Sequence, residues 1–250
     1  MITNDITLLL KELGIQKNKA ILLPSDGEDL NFEFEISPEE FLEQAEQDYE
    51  TNGNSAFLNS ITNAKRAIRS QIDKVLYCLG FDARKMGIKQ KMERLKELGV
   101  ITPRMLKKVD VARNLLEHEY KSPSLQEVED ALDLAALFIE ATNRTINPIG
   151  SFFVLGNEDE YIEGTVADFK NRITFDLDVP KKQFQLSGNT AISGPDSVAV
   201  RDSRTPIGES VIVTNADPMY ISIMRLAIVV EKDYENKARK AINCFFDALQ

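Results

Sequence analysis

The sequence predicts an α+β protein in which a helical region is followed by a strand-rich region. Apolar residues recur every three or four positions through most of residues 37–147, which is typical of amphipathic helices. From residue 148 onward, alternating or β-branched apolar runs are separated by Gly, Pro, Asn and Asp, which indicates short strands and turns. The chain has 250 residues, of which 43% are hydrophobic and 28% charged, and this composition is typical of a globular protein with a buried core.

The first 36 residues are predicted to form an acidic head with short elements. The segment ITLLLKELGI favours a short helix or strand that ends at Gly14, and AILLP favours a strand. The tetrapeptide from Pro24 to Gly27 is typical of a turn. The following LNFEFEI alternates apolar and polar residues, so we expect a half-buried strand there.

Residues 37–147 are predicted to form a helical bundle with clear start and stop signals. Ser37 and Glu40 form a capping-box pattern at the start of a helix that reaches about residue 50. A long helix over about residues 55–79 follows, and a shorter amphipathic helix ends at Gly99.

The second half of the predicted bundle contains two further helices. The first begins at Thr102 and Pro103 and ends near Lys121. The last spans about residues 125–143 and is apolar almost all round, so we expect it to lie centrally or at a subunit interface.

Residues 148–250 are predicted to form a small, mostly antiparallel β domain that ends in a helix. The predicted strands are SFFVLG, EYIEGTVADF, RITFDLDV, SVAVRD, ESVIVTN and YISIMRLAIVV. The closing amphipathic helix covers about residues 234–248.

Several classes of site and location are disfavoured by composition. Cys78 and Cys244 are too few for a disulfide framework, and His118 is the only histidine, which argues against metal sites that need several His ligands. No phosphate-binding glycine loop is present, so we predict neither metal nor cofactor. No apolar run approaches the ~20 residues that cross a bilayer, and the N-terminus lacks an export pattern. We therefore expect a cytoplasmic protein without a membrane anchor.

The net charge of −10 is unevenly distributed along the chain. Residues 1–54 carry 13 acidic and three basic side chains, whereas residues 55–148 carry 12 acidic and 16 basic ones. The acidic balance of the whole chain argues against a general nucleic-acid binder, but the basic balance of the middle region is compatible with RNA binding. Ordinary helix faces exposed to solvent explain the same excess of basic side chains in residues 55–148.

The sole histidine lies in a polar cluster of the predicted helix that begins at Thr102. Arg113 and Glu117 share one helix face, and Asn114 and His118 share the adjoining face. Leu115 and its neighbour Leu116 lie on the opposite, apolar side. An ordinary surface ion pair beside a helix-terminal histidine is one interpretation of this pattern.

A second interpretation comes from the string R-N-x-x-E-H-x-Y, which resembles the signature of the HEPN superfamily. In that family four to six residues separate an Arg from a following His, often with a polar residue straight after the Arg. The toxin branch has the tighter R-x4-H-x-Y form, which Arg113, His118 and Tyr120 match, and Asn114 matches the polar residue. The resemblance covers about residues 38–147.

The resemblance implies a metal-independent endoribonuclease, such as a toxin or phage-defence component, that forms a cyclic phosphate by attack of the RNA 2′-hydroxyl. His118 would act as the base, Arg113 would bind the phosphoryl oxygens, and Asn114 would hold the substrate or orient His118. Tyr120 would donate a hydrogen bond or carry a modification. The basic residues expected to follow the RNA backbone are Arg104, Lys107, Lys108 and Lys121.

The geometry of a single helix favours a homodimer. Arg113 and His118 point about 140° apart, and one histidine does not readily serve as both base and acid. A two-fold dimer brings two copies of the motif together, and HEPN proteins are typically such dimers. Glu117 and Glu119 favour the protonated form of His118, which suits an acid better than a base. Family members also pair with a nucleotidyltransferase antitoxin, which here would be a separate protein.

Three alternatives remain open at this stage. The bundle could be a non-catalytic module that binds RNA or protein. The strand-rich region could be a sensor of a small ligand, which a concave, partly apolar pocket with converging polar groups would indicate. In addition, the acidic residues 26–50 could cover the motif and inhibit it.

Overall fold

The computed structural model describes residues 2–101, 123–162, 168–191, 204–232 and 235–250. The chain divides into two compact units. Met1–Asp29 and Pro148–Gln250 form the first, here called the sheet unit, and Leu30–Asn147 form the second, the helical unit. The predicted head, with its boundary at residue 36, is therefore divided, because its first 29 residues fold with the C-terminal region.

The sheet unit contains a five-stranded antiparallel sheet. Its strands follow the order β1-β2-β5-β6-β7, so the first strand of the chain lies beside the second. A short antiparallel pair, β3 and β4, is separate. The bounds are β1 Ala20–Glu28, β2 Ile149–Asn157, β3 Tyr161–Ile162, β4 Asp168–Phe169, β5 Asn171–Asp178, β6 Gln183–Ala191 and β7 Arg204–Thr214. The antiparallel sheet predicted for the C-terminal region is confirmed.

One face of this sheet carries the aromatic core and the helices α1 (Ile2–Glu12), α6 (Met219–Val230) and α7 (Glu235–Asp247). Phe175 stacks on Phe153 with ring centroids 4.8 Å apart and meets Phe245 of α7 edge-on at 5.9 Å. Phe184 contacts Tyr220 of α6. On the same face, a Cβ atom at Gly188 would lie 2.5 Å from a methyl group of Leu9. A glycine therefore lets α1 approach the strand closely.

Three predictions for the sheet unit are wrong. The segment YISIMRLAIVV is the helix α6 and not a strand, and β6 was not predicted at all. Twelve consecutive residues of which ten are apolar suit a central helix as well as a strand, and periodicity alone does not separate the two. The predicted turn from Pro24 to Gly27 lies inside β1, which pairs with β2 through two register shifts. Proline is tolerated there because β1 is an edge strand. The predicted strand SVAVRD lies outside the described residues.

The helical unit contains α2 (Pro38–Thr51), α3 (Asn54–Cys78), α4 (Ile88–Glu97) and α5 (Leu125–Ile146). Ser37 and Ser124 cap α2 and α5 through complete capping boxes, so these predicted starts are confirmed. The predicted helix that begins at Thr102 lies outside the described residues.

The segment LNFEFEI, predicted as a strand, has no regular secondary structure. Phe32 stacks on Tyr77 of α3 with ring centroids 4.4 Å apart, and Phe34 meets the same ring edge-on. The alternation of apolar residues in this segment therefore reflects contact with a helix and not pairing in a sheet.

Candidate functional site

The residues predicted to carry the chemistry lie in one short stretch of the chain. They fall within residues 102–122, outside the described residues, so their geometry stays a prediction from sequence. The predicted catalytic residues are Arg113, Asn114, His118 and Tyr120, and the predicted RNA-binding residues are Arg104, Lys107, Lys108 and Lys121.

Both ends of this stretch are fixed to the helical unit. After α4, the apolar side chains of Leu98, Val100 and Ile101 are buried. At the other end, the Ser124 hydroxyl accepts a hydrogen bond from the Glu127 amide at the start of α5. The last described residue before this stretch is therefore buried, and the first helix described after it begins with a complete capping box.

A polar network joins the described helices of this unit. Gln71 of α3 is fully buried, and its Nε2 donates to Thr142 Oγ1 and to Asn143 Oδ1 of α5, both at 2.8 Å. The Asn143 amide donates to Glu39 of α2, and Lys74 also donates to that carboxylate. Burial raises the pKa of Glu39, but hydrogen bonds from the backbone and Asn143, together with the Lys74 charge, lower it overall.

Two further polar contacts lie nearer the opposite end of α2. Asp48 accepts a hydrogen bond from Asn63 of α3 at 2.8 Å, and Tyr49 donates to Glu129 of α5 at 2.7 Å. All these groups are engaged with each other and fix how α2, α3 and α5 are aligned. We therefore interpret them as structural groups and not as a reaction centre.

The described residues offer little for metal or thiol chemistry. Within the described ranges, no group of three or more His, Cys, Asp or Glu side chains is arranged to hold a metal ion. Burial raises the pKa of the Cys78 thiol to about 11, which keeps it in its unreactive neutral form near neutral pH.

The sheet unit contains a charged cluster that sequence reasoning missed. Asp168 of β4 accepts hydrogen bonds from Arg172 Nη1 at 2.6 Å and from Arg204 Nη2. All three side chains are at most 20% exposed. Asp168 and Arg172 are four residues apart, whereas Arg204 lies 36 residues from Asp168 on another strand, and only strand register brings it to the same carboxylate.

The sheet unit also has a half-open cavity of about 370 Å³ between β1 and the helices α6 and α7. Apolar side chains such as Ile21 and Val230 line it together with Lys232, Asn236 and Arg239. Arg239 is held in place by hydrogen bonds to the carbonyl groups of residues 17 and 20. The cavity has the mixed lining that a small amphipathic anion requires.

Comparison of the chain with protein-family models, curated proteins and solved structures found no match. The resemblance to the HEPN superfamily therefore rests on the sequence of residues 38–147. Of the helices in the described ranges, none combines the length and apolar character needed to span a membrane.

Proposed function

We propose that this protein is a metal-independent endoribonuclease of HEPN type that acts in the cytoplasm as a toxin or phage-defence component. The observation that carries the proposal is the string from Arg113 to Tyr120, which contains an Arg, an adjacent Asn, a His five residues after the Arg, and a Tyr. The setting of the string supports the proposal, because the regular elements described for Leu30–Asn147 are all helical and the string precedes the long helix α5.

The proposed reaction cleaves RNA by internal attack. The His118 imidazole removes the proton of the 2′-hydroxyl, and the resulting oxygen attacks the adjacent phosphorus. Arg113 binds the two non-bridging oxygens, where negative charge accumulates in the transition state. The bond to the 5′-oxygen breaks, this oxygen takes up a proton, and the products are a 2′,3′-cyclic phosphate and a 5′-hydroxyl end.

The active form is proposed to be a homodimer. A second copy supplies a second His118, which allows one imidazole to act as the base while the other, protonated, acts as the acid. The flanking residues Glu117 and Glu119 favour the protonated state that the acid requires. A separate antitoxin protein is the proposed regulatory partner.

The deciding experiment is RNA cleavage in EDTA by the wild type, by His118→Ala and by Arg113→Lys. We expect cleavage by the wild type and a loss of at least a hundredfold in each variant, because general-base catalysis contributes about 10²–10⁴-fold. Lys89→Ala is the matched control, since Lys89 is an exposed cation of α4, and this variant should keep full activity.

Product ends and oligomeric state complete that experiment. The fragment on the 5′ side of each cut should carry a 2′,3′-cyclic phosphate at its 3′ end. Light scattering should give a dimer for the wild type and for the variants. Equal cleavage by wild type and His118→Ala would overturn the proposal. RNA binding without cleavage by a folded dimer would favour the non-catalytic binding module.

The cavity of the sheet unit favours a second candidate function, the sensing of a small amphipathic anion. Its volume of about 370 Å³ fits such a ligand, and Lys232 and Arg239 supply positive charge to a lining that also holds the carboxylate of Glu158. The fluorescent anion anilinonaphthalene sulfonate should bind the wild type, and Ala238→Trp, which fills the cavity, should abolish that binding. Unchanged binding by Ala238→Trp would remove this candidate.

A further inference from the structure

The cluster of Asp168, Arg172 and Arg204 holds two guanidinium groups against one carboxylate. The exposed fractions of these side chains are 12%, 20% and 11%. Arg204 Nη2 also donates to the carbonyl of Phe169 at 3.2 Å, and Asp168 Oδ1 accepts from the Phe169 amide at 2.7 Å. The carboxylate is thus fixed by its own strand, and it fixes both cations.

The backbone around the cluster is closely packed. Arg172 lies opposite Gly156 of β2 on one side and Asn189 of β6 on the other. A Cβ atom at Gly156 would come within 2.3 Å of the Phe169 ring, so the ring lies directly on the strand. Arg204 lies opposite Ala191, at the start of β7. The two guanidinium groups are therefore positioned by three strands of one sheet and by β4.

The charge of the cluster is not balanced. Among the described residues, two cations face one anion, which leaves one net positive charge in a site that is largely shielded from water. Arg172 Nε, Arg204 Nε and Arg204 Nη1 are buried and have no hydrogen-bond partner. The nearby Glu160 does not serve them, because its carboxylate accepts from the backbone amide and the side chain of Asn171.

Buried guanidinium donors without acceptors lower the stability of the folded state unless a further acceptor binds to them. A buried donor without a partner loses about 1–3 kcal/mol of hydration, and an unpaired buried charge loses more. Burial lowers the pKa of Arg204, and the positive charge of Arg172 lowers it further. A lowered arginine pKa is expected where a guanidinium group has too little negative charge around it.

We propose that Arg172 and Arg204 form a binding site for the oxyanion group of a ligand, either a phosphate or a carboxylate. Asp168 holds both guanidinium groups from one side and leaves three nitrogen atoms, Arg172 Nε, Arg204 Nε and Arg204 Nη1, as donors for the incoming oxygens. The planar fork of arginine matches two oxygens of either group. The site belongs to the sheet unit and uses no residue of the proposed nuclease motif. A test of this site is therefore independent of the proposed nuclease function.

Anion-dependent stabilisation tests this site. Thermal unfolding of the full chain is measured in sodium phosphate, sodium acetate and sodium chloride at matched ionic strength, with affinity determined by calorimetric titration of phosphate and acetate. We expect phosphate or acetate to raise the melting temperature of the wild type beyond the effect of chloride, because a ligand that binds only the folded state stabilises it.

Two variants and one control make the test specific. Arg204→Gln leaves the one-to-one pair of Asp168 and Arg172, and it should raise the dissociation constant of the anion at least tenfold. Arg204→Lys keeps the charge but loses the fork, and it should weaken binding by several-fold. Lys170→Gln removes an exposed cation beside the cluster and should bind like the wild type.

Three results would overturn the site. The first is an equal effect of all three salts on the wild type, which would indicate screening alone. The second is unchanged anion affinity in both Arg204 variants. The third is the absence of anion binding by the wild type together with a higher stability of Arg204→Gln. This result would indicate that the extra positive charge of the cluster has no ligand. Loss of RNA cleavage is not expected in any Arg204 variant.

Discussion

The two units of this protein are stabilised by different kinds of interior. In the sheet unit, the rings of Phe153, Phe175 and Phe245 contact one another across strands and a helix that are far apart in the chain. In the helical unit, the neutral polar side chains of Gln71 and Thr142 are fully buried between helices. The sheet unit therefore depends on the fit of large apolar groups, whereas the helical unit adds hydrogen bonds that specify how its helices align.

This contrast has an energetic consequence. Removing a buried ring leaves a cavity and loses many contacts, whereas removing one partner of a buried hydrogen bond costs about 1–3 kcal/mol and replacing both partners by apolar groups can be nearly neutral. The same degree of burial should therefore give different mutational sensitivities in the two units, and the predictions for Phe175 and Gln71 test that expectation.

The largest effect is expected at Phe175. Phe175→Ala should lower the free energy of unfolding by about 3–5 kcal/mol, because the ring is fully buried and contacts two other rings. Urea denaturation followed by fluorescence and circular dichroism measures the change. Phe175→Leu, which keeps most of the volume, should cost clearly less. A loss below about 1 kcal/mol for the alanine variant would contradict an interior that depends on ring packing.

An intermediate effect is expected at Gln71. Gln71→Met should lower the free energy of unfolding by about 1–3 kcal/mol, because Thr142 Oγ1 and Asn143 Oδ1 lose their donor, while removal of a buried carbonyl oxygen that has no partner offsets part of the loss. Gln71→Glu is the contrasting variant, since it buries a charge and should cost more. If Gln71→Met cost as much as Phe175→Ala, the distinction between the two interiors would be lost.

The smallest effect is expected at Glu39 and should depend on pH. The pKa of Glu39 is lowered in the folded state, so its contribution to stability is present above its unfolded pKa and is lost as the pH falls through the folded value. Glu39→Gln should cost a few tenths of a kcal/mol at pH 7, because the side chain is 46% exposed, and nothing near pH 2. Equal effects at both pH values would show that the charge of Glu39 plays no part.

Local signals in the sequence were sufficient for the helix starts at Ser37 and Ser124 of the helical unit and insufficient for the sheet unit. The capping boxes at Ser37 and Ser124 involve residues three apart, so the sequence contains all that is needed to predict them. In contrast, Pro24 is typical of a turn by every local criterion and lies in a strand because Phe153, far along the chain, pairs with it. Long-range pairing overrides local preference in this unit.

The two candidate sites differ in the same way. The proposed nuclease motif is a run of eight residues and is visible in sequence without any structure. The cluster of Asp168, Arg172 and Arg204 depends on the register of strands, and arginines near strand ends are too common for their types alone to indicate it. The sequence therefore predicts the first site and not the second.

The position of the helical unit in the chain has a consequence for synthesis on the ribosome. Residues 30–147 separate β1 from its neighbour β2, and the Leu30 amide donates to Asn147 Oδ1 at 2.8 Å, which ties the two ends of the inserted unit together. At about 5–20 residues per second, translating the roughly 130 residues between paired positions takes about 7–26 s. During that time the helices, whose contacts are more local, have time to fold. During the same time β1 has no pairing partner and is accessible to chaperones and to other nascent chains. The order of synthesis therefore places folding of the helical unit before the pairing of β1 with β2.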